Sequence, residues 1–133
     1  MNNKLEFFII DDSEVNNYYT EDLLMEFDFV DSVKVFLNPL EGLQEIKDRF
    51  KQNQKQPDAI FLDIRMPEMD GFEFLDELES ELDEVDYKTK IFIITSSNHR
   101  RDIEAFEKQL IAVDFLNKPL EKEHVLALIK KHF

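Results

Sequence analysis

The chain has 133 residues, 43% of them hydrophobic, with thirteen Phe and no Trp. That suffices for one domain, residues 1–133, with an apolar core of its own. Sixteen basic against thirty acidic residues give a formal net charge of −14, which repels phosphate backbones and anionic headgroups and sets nucleic-acid and membrane-surface binding aside, while the lack of Cys excludes disulfides, thiolate nucleophiles and Cys-ligated zinc.

The start, Met1-Asn2-Asn3-Lys4, shows neither a leader nor a membrane-length apolar run, so a cytoplasmic protein is expected. Phe7-Phe8-Ile9-Ile10 reads as a strand buried on both faces. It stops at Asp11-Asp12, and from Glu14 the recurrence of Val15, Tyr19 and Leu23 predicts a first helix to about Phe27. Val33 and Val35 mark a second strand. Asn38-Pro39-Leu40-Glu41 joins an N-cap residue, a proline at the first helical position and a Glu at the third. Leu43, Ile46 and Phe50 give that helix its inner stripe, and 51–56 reads as a loop. Ala59 to Leu62 is the third strand, delivering Asp63 to its end. After a loop with Pro67, Asp70 caps a third helix striped by Phe72, Leu75 and Leu82, and Glu73 completes the cap. Ten acidic residues and no basic one lie between Glu68 and Asp86, which reads as a solvated face running into a solubilising connection. Ile91 to Ile94 is the fourth strand, ending at Thr95-Ser96-Ser97; Ile103, Phe106 and Leu110 mark a fourth helix. Val113 to Leu116 is a fifth strand leading into Asn117-Lys118-Pro119, and Val125, Leu128 and Ile129 mark the last helix. Five strand–helix pairs with unpatterned apolar strands predict an α/β fold, a doubly wound parallel sheet of five strands.

In a parallel sheet the carboxyl ends of the strands share one edge, where such folds bind their ligands. Asp11-Asp12, Asp63, Thr95 and Lys118 all stand at strand ends, so four segments bring three carboxylates, a hydroxyl and an ammonium to one cleft. Each taken singly also has a structural reading, as a cap or a turn residue. Three carboxylates at close range need a cation. Mg2+ suits them, since it takes oxygen ligands, keeps several waters and is usually held by one or two carboxylates. An Asp carboxylate can attack phosphorus to give an aspartyl phosphate, a reaction that asks for charge neutralisation and in-line placement. Lys118 and Thr95 supply a point charge and a hydroxyl donor for the phosphoryl oxygens.

Over essentially its whole length the chain resembles the receiver domain of two-component response regulators, most of all the single-domain, CheY-like kind. The resemblance rests on Asp11-Asp12, on Leu62-Asp63-Ile64-Arg65-Met66-Pro67-Glu68-Met69-Asp70-Gly71, on Thr95-Ser96 and on Lys118-Pro119. It implies a flavodoxin-like three-layer sandwich in which Asp63 accepts phosphate from a sensor histidine kinase or phosphotransfer protein. Asp12, Asp63 and the backbone carbonyl of Arg65 would hold Mg2+, with Asp11 acting mainly through water. Thr95 and an aromatic residue, here Phe115, would bury more deeply on phosphorylation. The face formed by the fourth helix, fifth strand and fifth helix would repack, and the Lys118-Pro119 bond would be cis. The chain departs from the commonest pattern at Arg65, which either tunes phosphate lifetime or points into solvent, at the small Ser97, at Phe115, where Tyr is frequent, and at Leu110-Ile111-Ala112.

No output domain is expected, so the signal would pass by phosphorylation-dependent protein contact, to a downstream protein or a second copy. The basic set Arg100, Arg101, Lys108, Lys122, Lys130 and Lys131 either marks that surface or is ordinary solvated charge. His99, His124 and His132 lack metal-ligand spacing and are expected to be exposed, and two glycines, Gly42 and Gly71, rule out a phosphate loop. Beyond its own phosphorylation and dephosphorylation no enzyme activity is expected. Two other readings share this site: a phosphatase or mutase with an Asp nucleophile, disfavoured by Arg65 where a second acid would stand, and an unphosphorylated interaction module.

Overall fold

The computed structural model describes residues 4–81, 88–96, 104 and 112–133. Among these, five strands, β1 (Leu5–Ile10), β2 (Val30–Phe36), β3 (Ala59–Asp63), β4 (Lys90–Thr95) and β5 (Ala112–Asn117), form one sheet in the order β2-β1-β3-β4-β5. Every neighbouring pair is parallel. Four described helices complete it, α1 (Glu14–Met25), α2 (Pro39–Lys51), α3 (Gly71–Glu81) and α4 (Lys122–His132). Strand order reverses between β1 and β3, and at such a switch point the two connections leave on opposite faces and open a crevice above the strand ends. The predicted helix at Ile103, Phe106 and Leu110 lies outside the described residues, as do Ser97, His99, Arg100, Arg101, Lys108 and Leu110-Ile111.

The apolar strands feed two cores because side chains alternate across a sheet. Phe7, Ile9, Phe61, Phe92, Ile94 and Leu116 pack beneath α1 and α4, where Leu23, Leu24, Val125, Leu128 and Ile129 meet them. Phe8, Ile10, Ile60, Leu62, Ile91 and Ile93 pack beneath α2 and α3. Much of the phenylalanine is spent here: Phe7 meets Phe61 edge-on with ring centroids 5.5 Å apart, and Phe61 meets Phe92 at 5.4 Å, a row crossing the three inner strands.

The predicted caps form. The Asn38 side chain accepts from the Leu40 N–H at 2.9 Å, with Pro39 opening α2. At α3, Asp70 Oδ1 accepts from the Glu73 N–H at 2.8 Å, and Glu73 Oε1 accepts from the Asp70 N–H at 3.2 Å. Two expectations need correction. The Val15, Tyr19, Leu23 spacing located α1, which ends at Met25, but not its buried side: Val15 is 80% exposed and Tyr19 half exposed, while Asn17, Thr20, Leu23 and Leu24 face inward. Asn17 can do so because its amide donates to the Asp11 carbonyl at 2.7 Å, which offsets part of the cost of burying it. His132 is not exposed either. Its side chain retains 16% exposure and its ring centroid lies 5.5 Å from that of Phe92, because position 132 follows Ile129 by three residues on the inward face of α4. His124 is exposed, as expected.

Candidate functional site

The rim where the strands end carries the residues singled out above, and the pleat explains which of them meet. Asp63 ends β3 on the same side as Phe61, Asp11 follows β1 on the side of Ile9, and Lys118 follows β5 on the side of Leu116. The ladder runs one residue past two of these strands, since the Asp11 N–H donates to the Phe36 carbonyl at 3.2 Å and the Lys118 N–H to the Thr95 carbonyl at 2.8 Å. Extended backbone therefore aims all three side chains at the layer beneath α1 and α4. Lys118 Nζ donates to Asp11 Oδ2 at 3.0 Å and lies 3.2 Å from Asp63 Oδ1. Asp12, one residue on, is exposed at the mouth. Ligand oxygens of Asp11, Asp12 and Asp63 all lie within 4.8 Å of one another.

The turn after β1 is held from below. Asp11 Oδ1 accepts from the Ser13 N–H at 3.0 Å, Ser13 caps α1 by accepting from the Asn16 N–H at 3.2 Å, and Asn17 grips the Asp11 carbonyl. Asn17 was not among the predicted site residues. The one available signal was weak: an Asn in the first turn of a helix that follows an acidic pair. Across the cleft, Thr95 ends β4 opposite Asn117, one step beyond the Asp63 and Ile94 pair, and is buried. Arg65 is exposed in the loop after β3. That loop closes where the Gly71 N–H donates to the Ile64 carbonyl at 2.8 Å. Phe115, on the other side of β5, is partly buried against the core beneath α2 and α3, and the Lys118–Pro119 bond is cis.

The electrostatics are unbalanced. Asp63 is 5% exposed; burial, then the charge of Asp11, push its pKa up to about 6 against the pull of Lys118. Burial works against the Lys118 ammonium too, yet its hydrogen bond to Asp11 and the charge of Asp63 outweigh that and raise its pKa. One ammonium thus serves two of the three carboxylates, Asp11 and Asp63. The group fits a small divalent ion on chemical grounds: hard oxygen donors, two of them buried, carrying more negative charge than the Lys118 ammonium alone offsets.

The response regulator receiver domain model matches residues 7–130. This chain belongs to the response regulator receiver family. It is similar to an uncharacterized response regulatory protein of Vibrio cholerae, at 30% identity over 127 residues, covering 96% of this chain and 48% of that protein; the chain spans about half the length of such curated relatives. Chemotaxis protein CheY of Listeria monocytogenes is 28% identical over 128 residues, covering 96% of this chain and 97% of that one. Among solved structures, the receiver domain of the histidine kinase CKI1 from Arabidopsis thaliana, complexed with Mg2+ and BeF3−, superposes with a TM-score of 0.79 at 21% identity, covering 96% of this chain and 90% of that one. The receiver fold expected from the sequence is thus the one present, and Asp11, Asp12, Asp63, Thr95 and Lys118 occupy its strand-end rim. Among the described residues no helix is long and apolar enough to cross a membrane.

Proposed function

We propose that Asp63 is the phosphoacceptor of this receiver, taking its phosphoryl group from the phosphohistidine of a sensor histidine kinase or of a histidine phosphotransfer protein. The observation that carries the reading is the trio Asp11, Asp63 and Lys118, joined at 3.0 and 3.2 Å on one side of the rim. An Asp63 oxygen bonds to phosphorus as the P–N bond to the donor imidazole breaks, and the ring, protonated by solvent on its other nitrogen beforehand, leaves as neutral imidazole. Asp11, Asp12, Asp63 and the Arg65 backbone carbonyl would hold Mg2+, which when bound offsets the charge of the carboxylates and of the incoming phosphoryl oxygens. The Mg2+ and BeF3− of the Arabidopsis receiver favour the same occupants here.

Lys118 then shifts its ammonium from the Asp63 carboxylate to a phosphoryl oxygen, and the Thr95 hydroxyl donates to another. The protein catalyses its own phosphorylation and dephosphorylation and turns over no other substrate. Phosphorylation favours one of two packings of the rim, read by a downstream protein or a second copy of the chain and not by nucleic acid or a membrane. The exposed Lys122, Lys130 and Lys131 of α4 belong to that surface, and the setting is the cytoplasm; Arg100, Arg101 and Lys108, grouped with them in the sequence, lie outside the described residues.

Incubation with acetyl phosphate and Mg2+, followed by mapping the mass increment, tests this. Expected is one phosphoryl group on Asp63, absent without Mg2+ and absent in Asp63→Asn. Label elsewhere overturns the assignment, and repeated turnover of a phosphomonoester would favour the phosphatase instead.

A further inference from the structure

Tyr19 stands on α1 with its ring half exposed, so core filling does not account for it. Its hydroxyl donates to the Leu120 carbonyl at 2.7 Å, a bond between residues 101 positions apart. Leu120 comes two residues after Lys118, and the intervening Pro119 has a fixed φ, so the three move as a short stiff unit. The near end of that unit is tied to β4 through the Lys118 N–H and the Thr95 carbonyl. The far end faces α1 across a cleft of about 280 Å³ lined by residues that include Tyr19, Thr20, Lys118, Pro119 and Leu120. The Leu120 side chain is buried in the core beneath α1 and α4, and the phenol adds a polar tie from α1 to its backbone. On the same helix, Asn17 holds the Asp11 carbonyl, so α1 grips both the segment that presents the carboxylate pair and the segment that presents the ammonium.

We propose that Tyr19 is a positioning residue for Lys118, its hydroxyl holding the loop so that the ammonium stays within reach of Asp11 and Asp63. The consequence for phosphoryl transfer rests on the function proposed above, whereas the consequence for Lys118 does not.

Tyr19→Phe removes the hydroxyl and keeps the ring on a surface position, and Tyr18→Phe, at the 76% exposed neighbour, serves as a matched control. The first measurement uses the protein without phosphodonor: the proton exchange rate of the Lys118 ammonium, followed by 1H–15N NMR. It is expected to rise about fivefold in Tyr19→Phe, the worth of one neutral hydrogen bond, and to stay put in Tyr18→Phe. The second is the rate of Asp63 labelling at saturating acetyl phosphate, expected to fall by about the same factor while half-saturating Mg2+ is unchanged, because the Asp11 turn keeps its own support. An unchanged Lys118 exchange rate overturns the inference, and means that the buried Leu120 side chain alone fixes the loop. Equal labelling rates in parent and Tyr19→Phe overturn it as well. A parent protein that takes no label at Asp63 overturns the proposed function instead, and the exchange comparison then decides Tyr19 separately.

Discussion

Asp63 pays for its placement. Its carboxyl binds a proton in the metal-free fold up to about pH 6 but at 3.8 in an unpaired reference state, so between those values the native state holds more protons than the unfolded chain. Stability therefore falls as pH rises from about 4 to about 6 and keeps the deficit above that. Asp63→Asn is expected to stabilise the metal-free protein at pH 7.5 by on the order of 2 kcal/mol and to do nothing at pH 4. Urea unfolding at the two pH values checks this; equal gains at both would count against it. The residue itself was readable in the sequence because an apolar run ending in a carboxylate needs no tertiary knowledge. Asn17 was missed, since an Asn soon after an acidic pair at a helix start is only a weak signal and a polar residue satisfied by a nearby carbonyl looks the same in a sequence as one facing water. The same blindness put Val15 and Tyr19 inside and His132 outside: helical spacing gives a period, and several faces share it.

At the scale of elements, the start of α3 and the end of β3 are pressed together at Gly71. A Cβ there would sit 2.8 Å from the Asp63 carbonyl oxygen and 3.0 Å from the Ile64 Cα, both backbone atoms. Gly71→Ala must lift the helix from the strand that carries the acceptor. The expected cost is about 1 to 3 kcal/mol, the range for forced overpacking, less a fraction returned by the better helix former. A lower urea midpoint together with slower Asp63 labelling is the expected result; a variant as stable and as active as the parent would show that the contact relaxes freely. The caps on either side were legible, because Asn38-Pro39 and Asp70 with Glu73 are local chemistry. The close approach at Gly71 was not, since it joins two elements.

For the whole molecule, the layering followed from alternation of apolar runs with helical stripes, and the expected parallel sheet is the one found; the strand order did not, because alternation leaves open which strands become neighbours. A net charge of −14 makes the compact state repel itself, so added salt is expected to raise Tm modestly. Mg2+ compared with Na+ at matched ionic strength separates that general screening from the cleft. Mg2+ at a hundredfold excess over its Kd is expected to add about 2.7 kcal/mol through binding the native state alone. Asp12→Asn should lose most of this increment while keeping the response to Na+, as read by thermal unfolding.

The alternation that sorts Phe61 and Asp63 to one layer and Leu62 to the other works as a parity rule on chain length. Inserting one residue within β3 would leave the count of apolar side chains intact and turn the acceptor toward α2 and α3, away from its ammonium. Inserting two would restore it. Evolutionary drift can therefore lengthen the strands of this rim only by even steps.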